Sequence, residues 1–408
     1  MRVGRGLAKC VSMKTKLPFL VAGGGIGGLA AALALARRGY AVRVLEQSPE
    51  FKEIGAGIQL GPNVFRMFEH LGLTDAIKGL AAFPENLVMM DALTGEEVTR
   101  VPIGSKAFSE RFGGYPYAVI HRGDMHRVYL EACRSEKDIE LSVSRKALRY
   151  EDKGHSVVLH MEGGEAIEGC ALIGCDGLWS RVREQMLGDG KPRVSGHIAY
   201  RAVLKREEVP EGLWQNNVVL WAGPKTHLVH YPLRRGELYN LVAVFHSDKY
   251  DEGWDTFGDT EELNRKFSGE RPEVLALLAK IESWKMWVLC DREPVREWSK
   301  GRVTLLGDAA HPMLQYLAQG ANMATEDGVV LAACLALSGG NIEAAFRRYQ
   351  DERYLRTARV QTTARFYGDI FHASGVLREL RNAWLAEPSA GPPGQAMAWL
   401  YDGIRVPA

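Results

Sequence analysis

Four residues near the N-terminus have the types and spacing needed to hold the phosphates and one ribose of a dinucleotide. The glycines are Gly23, Gly25 and Gly28, which fill the pattern G-x-G-x-x-G, and the acid is Glu46. In this pattern the first glycine permits a tight turn, the second lets backbone N–H groups approach a pyrophosphate, and the third lets a helix pack close to a strand. Glu46 can accept hydrogen bonds from a ribose diol, and its charge disfavours a 2′-phosphorylated nucleotide there.

The elements that must position these residues form a βαβ unit. Residues 18–22 (PFLVA) predict a short buried strand, residues 29–38 (LAAALALARR) a helix, and residues 41–45 (AVRVL) a second strand. The helix N-terminus then faces the phosphates. A glycine-rich structural turn is the alternative, but the strand, the helix and the acid together favour a dinucleotide. At this point NAD and FAD both remain open.

Two further stretches each place an acid beside a glycine after a buried strand. Residues 171–177 read ALIGCDG and continue LWSRVR, and residues 303–312 read VTLLGDAAHP. Because strands of one parallel sheet converge on a cofactor at their C-terminal ends, we expect Asp176 and Asp308 to face the same ligand as the glycine turn. The chain has no second G-x-G-x-x-G and no C-x-x-C pair. Their absence argues against an enzyme of the disulfide reductase type.

In this order, the three motifs resemble those of the single-component flavoprotein aromatic hydroxylases. The second motif is D-G-x-x-S-x-V-R, which starts at Asp176, and the third is G-D-A-A-H-P, which starts at Gly307. The resemblance implies tightly but non-covalently bound FAD, NADH as a transient co-substrate, and O2. It also implies that Asp308 binds the flavin ribityl chain and that the Asp176 motif serves both FAD and the docking of NADH.

The resemblance implies three more contacts with the cofactor. Arg122, in VIHRGDMHRVYL, matches the family arginine that lies against FAD, and the alternative for it is a solvated charge at a helix start. Residues 53–59 (EIGAGIQ), which include Gly57, are similar to the flexible loop close to the isoalloxazine. The helix that begins near Gly320 and Ala321 would point its N-terminus at the flavin pyrimidine, where its partial positive charge favours anionic reduced flavin.

A set of short strands joined by tight turns follows between residues 194 and 245, and it predicts an antiparallel sheet that forms a wall of the substrate site. In residues 227–233 (HLVHYPL) alternate side chains share a face, so His227 and Tyr231 are neighbours. An imidazole titrates near pH ~6.5 and can therefore accept a proton around neutrality. A pair of satisfied polar residues at a sheet surface is the alternative.

Within the hydroxylases, the pattern is most similar to the 3-hydroxybenzoate 6-hydroxylases, which form gentisate. That subfamily has a His and a Tyr four apart on such a strand and a Gln just past G-D-A-A-H-P, here His227, Tyr231 and Gln315. Salicylate hydroxylases typically have an HPxxPxxGQGA-like loop where this chain has residues 313–316 (MLQY). Tyr117, in YPYAVIHR, is expected to lie on a strand face and is a fourth pocket residue.

The resemblance therefore implies an NADH- and O2-dependent hydroxylation of 3-hydroxybenzoate para to its hydroxyl. His227 would take the phenolic proton, Gln315 would hold the hydroxyl or orient the ring, and Tyr231 would do likewise or meet the carboxylate. A monooxygenase for salicylate or 6-hydroxynicotinate is the nearest alternative. A flavin- or NAD-binding protein without hydroxylase activity is the alternative from another class.

Composition excludes several partners. The 408 residues carry 51 basic and 50 acidic side chains, a net charge of +1, so nothing favours nucleic acid or an anionic membrane. The six cysteines are scattered, which predicts a reducing, cytoplasmic setting and no metal site. The 20 residues between Lys16 and Arg37 carry no charge, but Pro18 and five glycines argue against a membrane span.

We predict an α/β fold similar to that of p-hydroxybenzoate hydroxylase, with a Rossmann-like FAD-binding domain, an inserted antiparallel-sheet substrate domain and C-terminal helices. Residues 1–12 are expected to form an unstructured extension, with Met13 as a possible start. The C-terminal region is expected to be a solvated cap or the surface of a homodimer. The predicted boundaries are 13–85, 113–190 and 296–340 for the FAD-binding domain, 86–112 and 191–295 for the substrate-binding domain, and 341–408 for the C-terminal helical region.

Overall fold

The computed structural model describes residues 17–52, 55–247, 256–387 and 391–408. The predicted N-terminal extension, residues 1–12, and the alternative start Met13 lie outside the described residues. Glu53 and Ile54, at the beginning of the predicted flexible loop, lie outside them too.

The described residues form nineteen strands and twelve α-helices. The strands are β1 Phe19–Ala22, β2 Val42–Leu45, β3 Gly57–Leu60, β4 Asn86–Asp91, β5 Glu97–Val101, β6 Ala118–His121, β7 Ile139–Ser142, β8 Ala147–Asp152, β9 Val157–Met161, β10 Ala166–Gly169, β11 Ala171–Gly174, β12 Arg193–Lys205, β13 Asn217–Gly223, β14 Thr226–Leu233, β15 Leu238–His246, β16 Thr256–Phe257, β17 Lys285–Asp291, β18 Ser299–Lys300 and β19 Val303–Leu305. The helices are α1 Ile26–Ala36, α2 Pro62–His70, α3 Thr74–Leu80, α4 Lys106–Arg111, α5 Arg122–Ser135, α6 Arg181–Leu187, α7 Thr260–Phe267, α8 Pro272–Leu278, α9 Gly320–Leu337, α10 Ile342–Phe371, α11 Val376–Ala386 and α12 Ala398–Tyr401.

A six-stranded sheet in the order β18-β19-β11-β1-β2-β7 forms the centre of the cofactor-binding half. All its strand pairs are parallel except β18 with β19. Strands β1 and β11 are buried along their whole length, as expected for parallel strands that are covered on both faces. The sheet takes its strands from three separated parts of the chain, residues 19–45, 139–174 and 299–305.

An eight-stranded sheet in the order β16-β17-β12-β15-β14-β13-β4-β5 forms the second half. Its pairs are antiparallel except β13 with β4. The predicted run of consecutive hairpins is right for β13, β14 and β15 but wrong for β12, which is 13 residues long and pairs with β15 and β17. The connection from β12 to β13, residues 206–216, is too long for a tight turn, so these two strands need not be neighbours. The predicted domain boundaries stay a prediction.

The C-terminal helices are only partly solvated. The prediction of a solvated cap is wrong for one face of α10, which buries Phe346, Tyr349, Arg353 and Val360. These residues recur at helical spacing between charged neighbours, so the stripe is hidden in a stretch that is polar on average. Within the described ranges, every helix is too short or too polar to cross a lipid bilayer.

Candidate active site

A cavity of about 1320 Å³ lies between the glycine turn and the eight-stranded sheet. Pockets for one small ligand usually measure about 300–1,000 Å³, so this cavity has room for a dinucleotide and a small second ligand. Thirteen of the fourteen site residues expected from the sequence line it. They are Gly23, Gly25, Glu46, Gly57, Tyr117, Arg122, Asp176, His227, Tyr231, Asp308, Gln315, Gly320 and Ala321, and Gly28 packs behind the turn.

The glycine turn has the shape of a phosphate cradle. Gly23 has a φ of +111°, and a Cβ there would lie 2.3 Å from the carbonyl oxygen of Cys175. A Cβ on Gly28 would lie 2.0 Å from the carbonyl oxygen of Gly23, so the third glycine lets the helix approach the turn. Gly25 is the N-cap of α1 and no side chain caps this helix. The first-turn N–H groups therefore suit an external anion such as a pyrophosphate.

Glu46 is oriented by two backbone hydrogen bonds just past the end of β2. Gly24 N donates to its Oε2 and Ser48 N donates to its Oε1, each at 2.8 Å. These bonds fix the carboxylate beside the glycine turn, at the edge of the cavity. A carboxylate has about four lone-pair sites, so acceptor capacity is left for a ribose diol.

The second motif links α6 to the third motif. Asp176 accepts hydrogen bonds from Arg181 N at 2.8 Å and Val182 N at 3.2 Å, which caps α6. Burial raises the pKa of Asp176, while the hydrogen bonds from Ser180 and the backbone act in the opposite direction. Arg183 is fully buried and donates to the carbonyl oxygens of Ala309 and Ala310, at 3.0 and 2.6 Å. The motif therefore positions the loop that carries Asp308.

A buried ionic network holds the same loop from its other side. Asp327 accepts from Gly307 N at 3.0 Å, from His311 Nε2 at 2.6 Å and from Arg353 Nε at 2.7 Å. Arg353 also donates to Glu326 at 2.6 Å. Despite the opposing effect of burial, His311 and Arg353 lower the pKa of Asp327 to about 2, and Arg356 and Arg353 lower that of Glu326 to about 2. Sequence reasoning missed this network, although two adjacent acids in the otherwise apolar α9 were a signal.

Gly57 is the first residue of β3 and lines the cavity, so the prediction of a flexible loop over residues 53–59 is wrong for residues 57–59, which pair with β6. A Cβ on Gly57 would lie 2.5 Å from Cε2 of Tyr231, so the glycine allows this ring to approach the backbone. Gly57 N also donates to Asn240 Oδ1 at 2.8 Å. Arg122 is the first residue of α5, and its backbone N–H bonds the carbonyl oxygen of Ala56 at 2.8 Å. Its side chain is half-buried at the cavity, which differs from a fully solvated helix-start charge.

The structure places His227 and Tyr231 on the face of β14 that meets the cavity, and both are 2% exposed. This burial does not fit the alternative of polar residues on a solvated sheet surface. Burial, with smaller effects of His197 and His246, lowers the pKa of His227 to about 3. His230 faces away and is satisfied by Trp221 Nε1 at 3.1 Å and by the Tyr239 hydroxyl at 2.7 Å.

Two other predicted pocket residues lie outside regular strands. Tyr117 comes one residue before β6, so its predicted place on the strand is wrong by one residue, and its hydroxyl donates to Gln59 Oε1. The pairing with β3 begins at Ala118, which lies opposite Leu60, and does not reach Tyr117. Gln315 begins a 3-10 turn, Gln315–Leu317, and accepts a hydrogen bond from Arg201 Nη2.

Arg201 is a cavity residue that sequence reasoning missed. It lies on β12, its guanidinium is 5.4 Å from the centre of the Trp287 ring, and its Nε is buried without a hydrogen-bond partner among the described residues. Burial lowers its pKa, with Tyr231 opposing and Arg122 adding to the shift. A half-buried cation in a cavity favours an anionic ligand. The signal in the sequence was a single arginine within the otherwise uncharged strand segment HIAYRAVL.

One group of histidines has ring nitrogens close enough to share a metal ion. Within the described part of the chain, His197, His246 and His372 place one nitrogen each within 4.8 Å of the others. His372, however, uses both ring nitrogens in hydrogen bonds with imidazoles, to His227 and His246. The expectation that the chain holds no metal stays a prediction.

Comparison with known proteins decides the family. A family model described as an FAD binding domain matches residues 16–364. The chain belongs to this FAD-binding family. The predicted membership in the single-component FAD-dependent aromatic hydroxylases and the predicted fold class are both confirmed. Because the glycine turn, Glu46 and Asp308 border one large cavity, the residues present fit FAD.

Individual relatives cover nearly the whole chain. A protein of Polaromonas naphthalenivorans (strain CJ2) named 3-hydroxybenzoate 6-hydroxylase is 50% identical over 385 residues, which cover 94% of this chain and 96% of the relative. A Klebsiella oxytoca protein of the same name is 44% identical over 94% of this chain and 96% of its own length. The solved structure of Klebsiella pneumoniae HpxO complexed with FAD and uric acid has a TM-score of 0.82 at 27% identity, and covers 93% of this chain and 94% of that chain.

Proposed function

We propose that this protein uses FAD, NADH and O2 to hydroxylate 3-hydroxybenzoate para to its hydroxyl, which gives 2,5-dihydroxybenzoate (gentisate) in the catabolism of aromatic compounds. The observation that carries the proposal is that His227, a neutral histidine, and Arg201, a half-buried cation, line the same cavity wall, where they suit a phenol and a carboxylate. The names of the two relatives support the same substrate.

The strand register places His227 and Arg201 on one face of the sheet. His227 pairs with Val244, which pairs with Ala199, two residues before Arg201. Paired residues of antiparallel strands share a face, and so do residues two apart. The two Cα positions are therefore two strand spacings apart across the sheet, about 10 Å at ~4.8 Å each, and two residues apart along it, about 7 Å at ~3.4 Å each. This makes about 12 Å in all, and both residues line the cavity. We propose that a meta-substituted benzoate binds between their polar ends.

Each residue then has a defined task. His227 Nε2 accepts the phenolic proton, because its Nδ1 is occupied by His372. Arg201 binds the carboxylate, and Gln315, which Arg201 holds, orients the ring or its hydroxyl. Tyr231 and Tyr117 line the remaining wall, and burial raises the pKa of both, so they stay protonated as hydrogen-bond donors. Bound FAD, reduced by NADH, supplies the electrophilic oxygen from O2.

The cofactor contacts are part of the proposal. The turn formed by Gly23, Gly25 and Gly28 and the N-terminus of α1 would hold the pyrophosphate, and Glu46 would hold a ribose. The exposed carboxylate of Asp308 would bind the ribityl chain. The N-terminus of α9, at Gly320, would face the flavin ring.

Product identification tests the substrate. The purified holoenzyme is given NADH with 3-hydroxybenzoate, salicylate or 6-hydroxynicotinate, and products are separated by chromatography. We expect gentisate from 3-hydroxybenzoate and little substrate-dependent NADH oxidation with the other acids. Catechol from salicylate as the main product would contradict the proposal, and a colourless protein without flavin absorbance would exclude hydroxylation altogether.

Replacement of the base tests the mechanism. A positioned general base contributes about 10²–10⁴-fold, so we expect His227→Asn to lower kcat by about that factor. His230→Asn is the matched control, since His230 lies on the same strand and faces away from the cavity. A His227→Asn enzyme with wild-type kcat and coupling would mean that another group takes the proton.

We also propose that the protein is a cytoplasmic homodimer. Helix α11 exposes an apolar stripe of Val376, Leu377, Leu380 and Trp384, which are 54–78% exposed. Such a patch on a charged surface favours association of two copies of the chain.

The proposed compartment rests on the cysteines. Those among the described residues are free, which suits a reducing compartment. The proposed dimer is tested by its mass. Light scattering should give twice the chain mass, and Leu380→Glu should shift it toward the monomer, whereas an unchanged mass would exclude α11 as the interface.

A further inference from the structure

Three imidazole rings form a continuous hydrogen-bonded chain that starts at the cavity. His227 Nδ1 and His372 Nε2 are 2.7 Å apart, and His372 Nδ1 and His246 Nε2 are 2.9 Å apart. His227 lines the cavity, His372 is buried, and His246 is partly exposed. The chain therefore connects the proposed base to a partly exposed residue at the end of β15.

The three rings come from elements that hold them in line. His227 and His246 lie on the neighbouring strands β14 and β15, and the register puts both on the same face, because His227 pairs with Val244. His372 is the C-cap of α10, and its carbonyl oxygen accepts a hydrogen bond from Lys225 N at 3.0 Å, which attaches the helix end to the start of β14. The middle ring is thus fixed between the other two.

The polarity of the chain is uniform. Each bond joins Nδ1 of the ring nearer the cavity to Nε2 of the ring nearer the surface. With all three rings neutral and protonated on Nδ1, every ring donates toward the surface and His227 Nε2 is a free acceptor for a ligand. Such an arrangement can pass a proton in one direction by an exchange of tautomers.

The geometry points to a proton relay, His227–His372–His246, that carries the phenolic proton of the bound substrate to water. The substrate O–H bond breaks as an N–H bond forms at His227 Nε2, and the proton on His227 Nδ1 moves to His372 Nε2. The proton on His372 Nδ1 moves to His246 Nε2, and the proton on His246 Nδ1 goes to water. The substrate becomes a phenolate, the solvent gains one proton, and no oxidant or reductant is used. This inference rests on the proposed function.

The lowered pKa values of the buried rings favour passage of a proton along the chain over storage of a proton on one of the rings. Burial lowers the pKa of His227 to about 3 and that of His372 well below its usual range. Neither ring therefore keeps an extra proton near neutrality, and a net loss of the phenolic proton needs an exit. Without His372 and His246, His227 could hold the proton only as a buried imidazolium, at a high cost in desolvation.

The charged groups around His246 favour release. Burial lowers the pKa of His246, and Lys225 and Lys266 add to the shift, while Asp369 opposes it. His197 lies beside the chain, with its ring centre 4.2 Å from that of His246, and its Nδ1 is engaged by the Tyr316 hydroxyl. His197 is neutral too, since burial lowers its pKa to about 4. His246, the last ring of the chain, thus lies near two lysines that disfavour its protonated form, and this favours release of its proton to water.

The experiment measures proton release directly. Holoenzyme with oxidised FAD and no NADH is mixed with 3-hydroxybenzoate in weakly buffered solution that contains a pH indicator dye, and phenolate absorbance and dye colour are followed by stopped flow. We expect phenolate formation and proton release to slow by about 100-fold in His372→Gln and about tenfold in His246→Asn. His230→Gln, which changes a buried histidine outside the relay, should keep the wild-type rate.

Chemical rescue separates a relay from a structural role. Imidazole at rising concentration should restore proton release in His246→Asn, because the exit lies at the surface, and this variant suffices if His372→Gln does not fold. Wild-type release rates in the variants, or a slow His246→Asn enzyme that imidazole does not rescue, would overturn the relay. A wild-type enzyme that neither deprotonates nor hydroxylates 3-hydroxybenzoate would overturn the proposed function first, and the relay with it.

Discussion

Replacement of Arg201 by Gln is the sharpest test of how the cavity recognises a carboxylate. Arg201 brings a positive charge into the substrate side of the cavity, its Nη2 bonds Gln315, and its Nε is buried without a hydrogen-bond partner among the described residues. Arg201 is half-buried, and its contacts with Gln315 and Trp287 supply no negative charge, so an anionic ligand is the partner that suits it. Gln preserves polarity but removes the charge.

The size of the effect follows from the chemistry of the contact. A hydrogen bond to a charged group contributes about 1.5–3 kcal/mol, and a tenfold change in Kd corresponds to about 1.4 kcal/mol. A loss near the middle of that range, about 2 kcal/mol, weakens binding of 3-hydroxybenzoate roughly 30-fold. The same substitution should change binding of 3-methylphenol, which keeps the phenol and lacks the carboxylate, by less than about threefold, since exposed or neutral contacts contribute little.

The assay is titration of the flavin absorbance with each ligand. The matched control is Arg206→Gln, which removes an exposed arginine that stacks on Trp214 at 4.1 Å, outside the cavity. We expect the control to bind both ligands as the wild type does. An Arg201→Gln enzyme with unchanged affinity for the acid, or with equal losses for the acid and for 3-methylphenol, would refute the assignment of the carboxylate to this residue.

Three further predictions concern coupling, cofactor retention and stability. Gln315→Ala should keep NADH oxidation but release peroxide in place of product, and an unchanged ratio of product to NADH would remove Gln315 from the pocket. Gly23→Ala should lose bound flavin, because its Cβ would lie 2.3 Å from a carbonyl oxygen, whereas Gly39→Ala, with nothing within 4 Å of its Cβ, should keep the flavin absorbance. Burial raises the pKa of Glu270 from its ordinary 4.5 to about 8, so the free energy of unfolding should fall as pH rises from 4.5 to 8. Glu270→Gln should abolish this fall, about 1.4 kcal/mol for each pH unit, in urea titrations, and an identical slope in both proteins would place the ionisation elsewhere.

Local motifs account for most of what could be predicted. The turn from Gly23 to Gly28 and the acid Glu46 lie within one short stretch, and their geometry follows from the βαβ unit that they build. The alternation along β14 was equally local, and it separates His227 from His230 without any knowledge of the partner strands. The order of the three motifs then indicated the family and its cofactor.

The residues that the sequence did not reveal are partners across long separations. The hydrogen bond from Arg201 to Gln315 joins residues that are 114 positions apart in the sequence. The corresponding separations are 126 positions for Arg183 and Ala309 and 145 for His227 and His372. The same is true of α10, whose charged sequence suggested solvent but whose Arg353 is fully buried against Asp327.

The sequence by itself determined the cofactor cradle, the strand that carries the candidate base and the class of enzyme, because each depends on neighbours in the chain and on the periodicity of a single element. Only the tertiary structure decided which cation lines the cavity beside His227, what ties the third motif in place and which imidazoles form a hydrogen-bonded chain from the cavity. Those contacts join β12 to the turn at Gln315, β14 and β15 to the end of α10, and α9 to α10. A hydrogen bond between distant residues exists only once packing has brought their elements together.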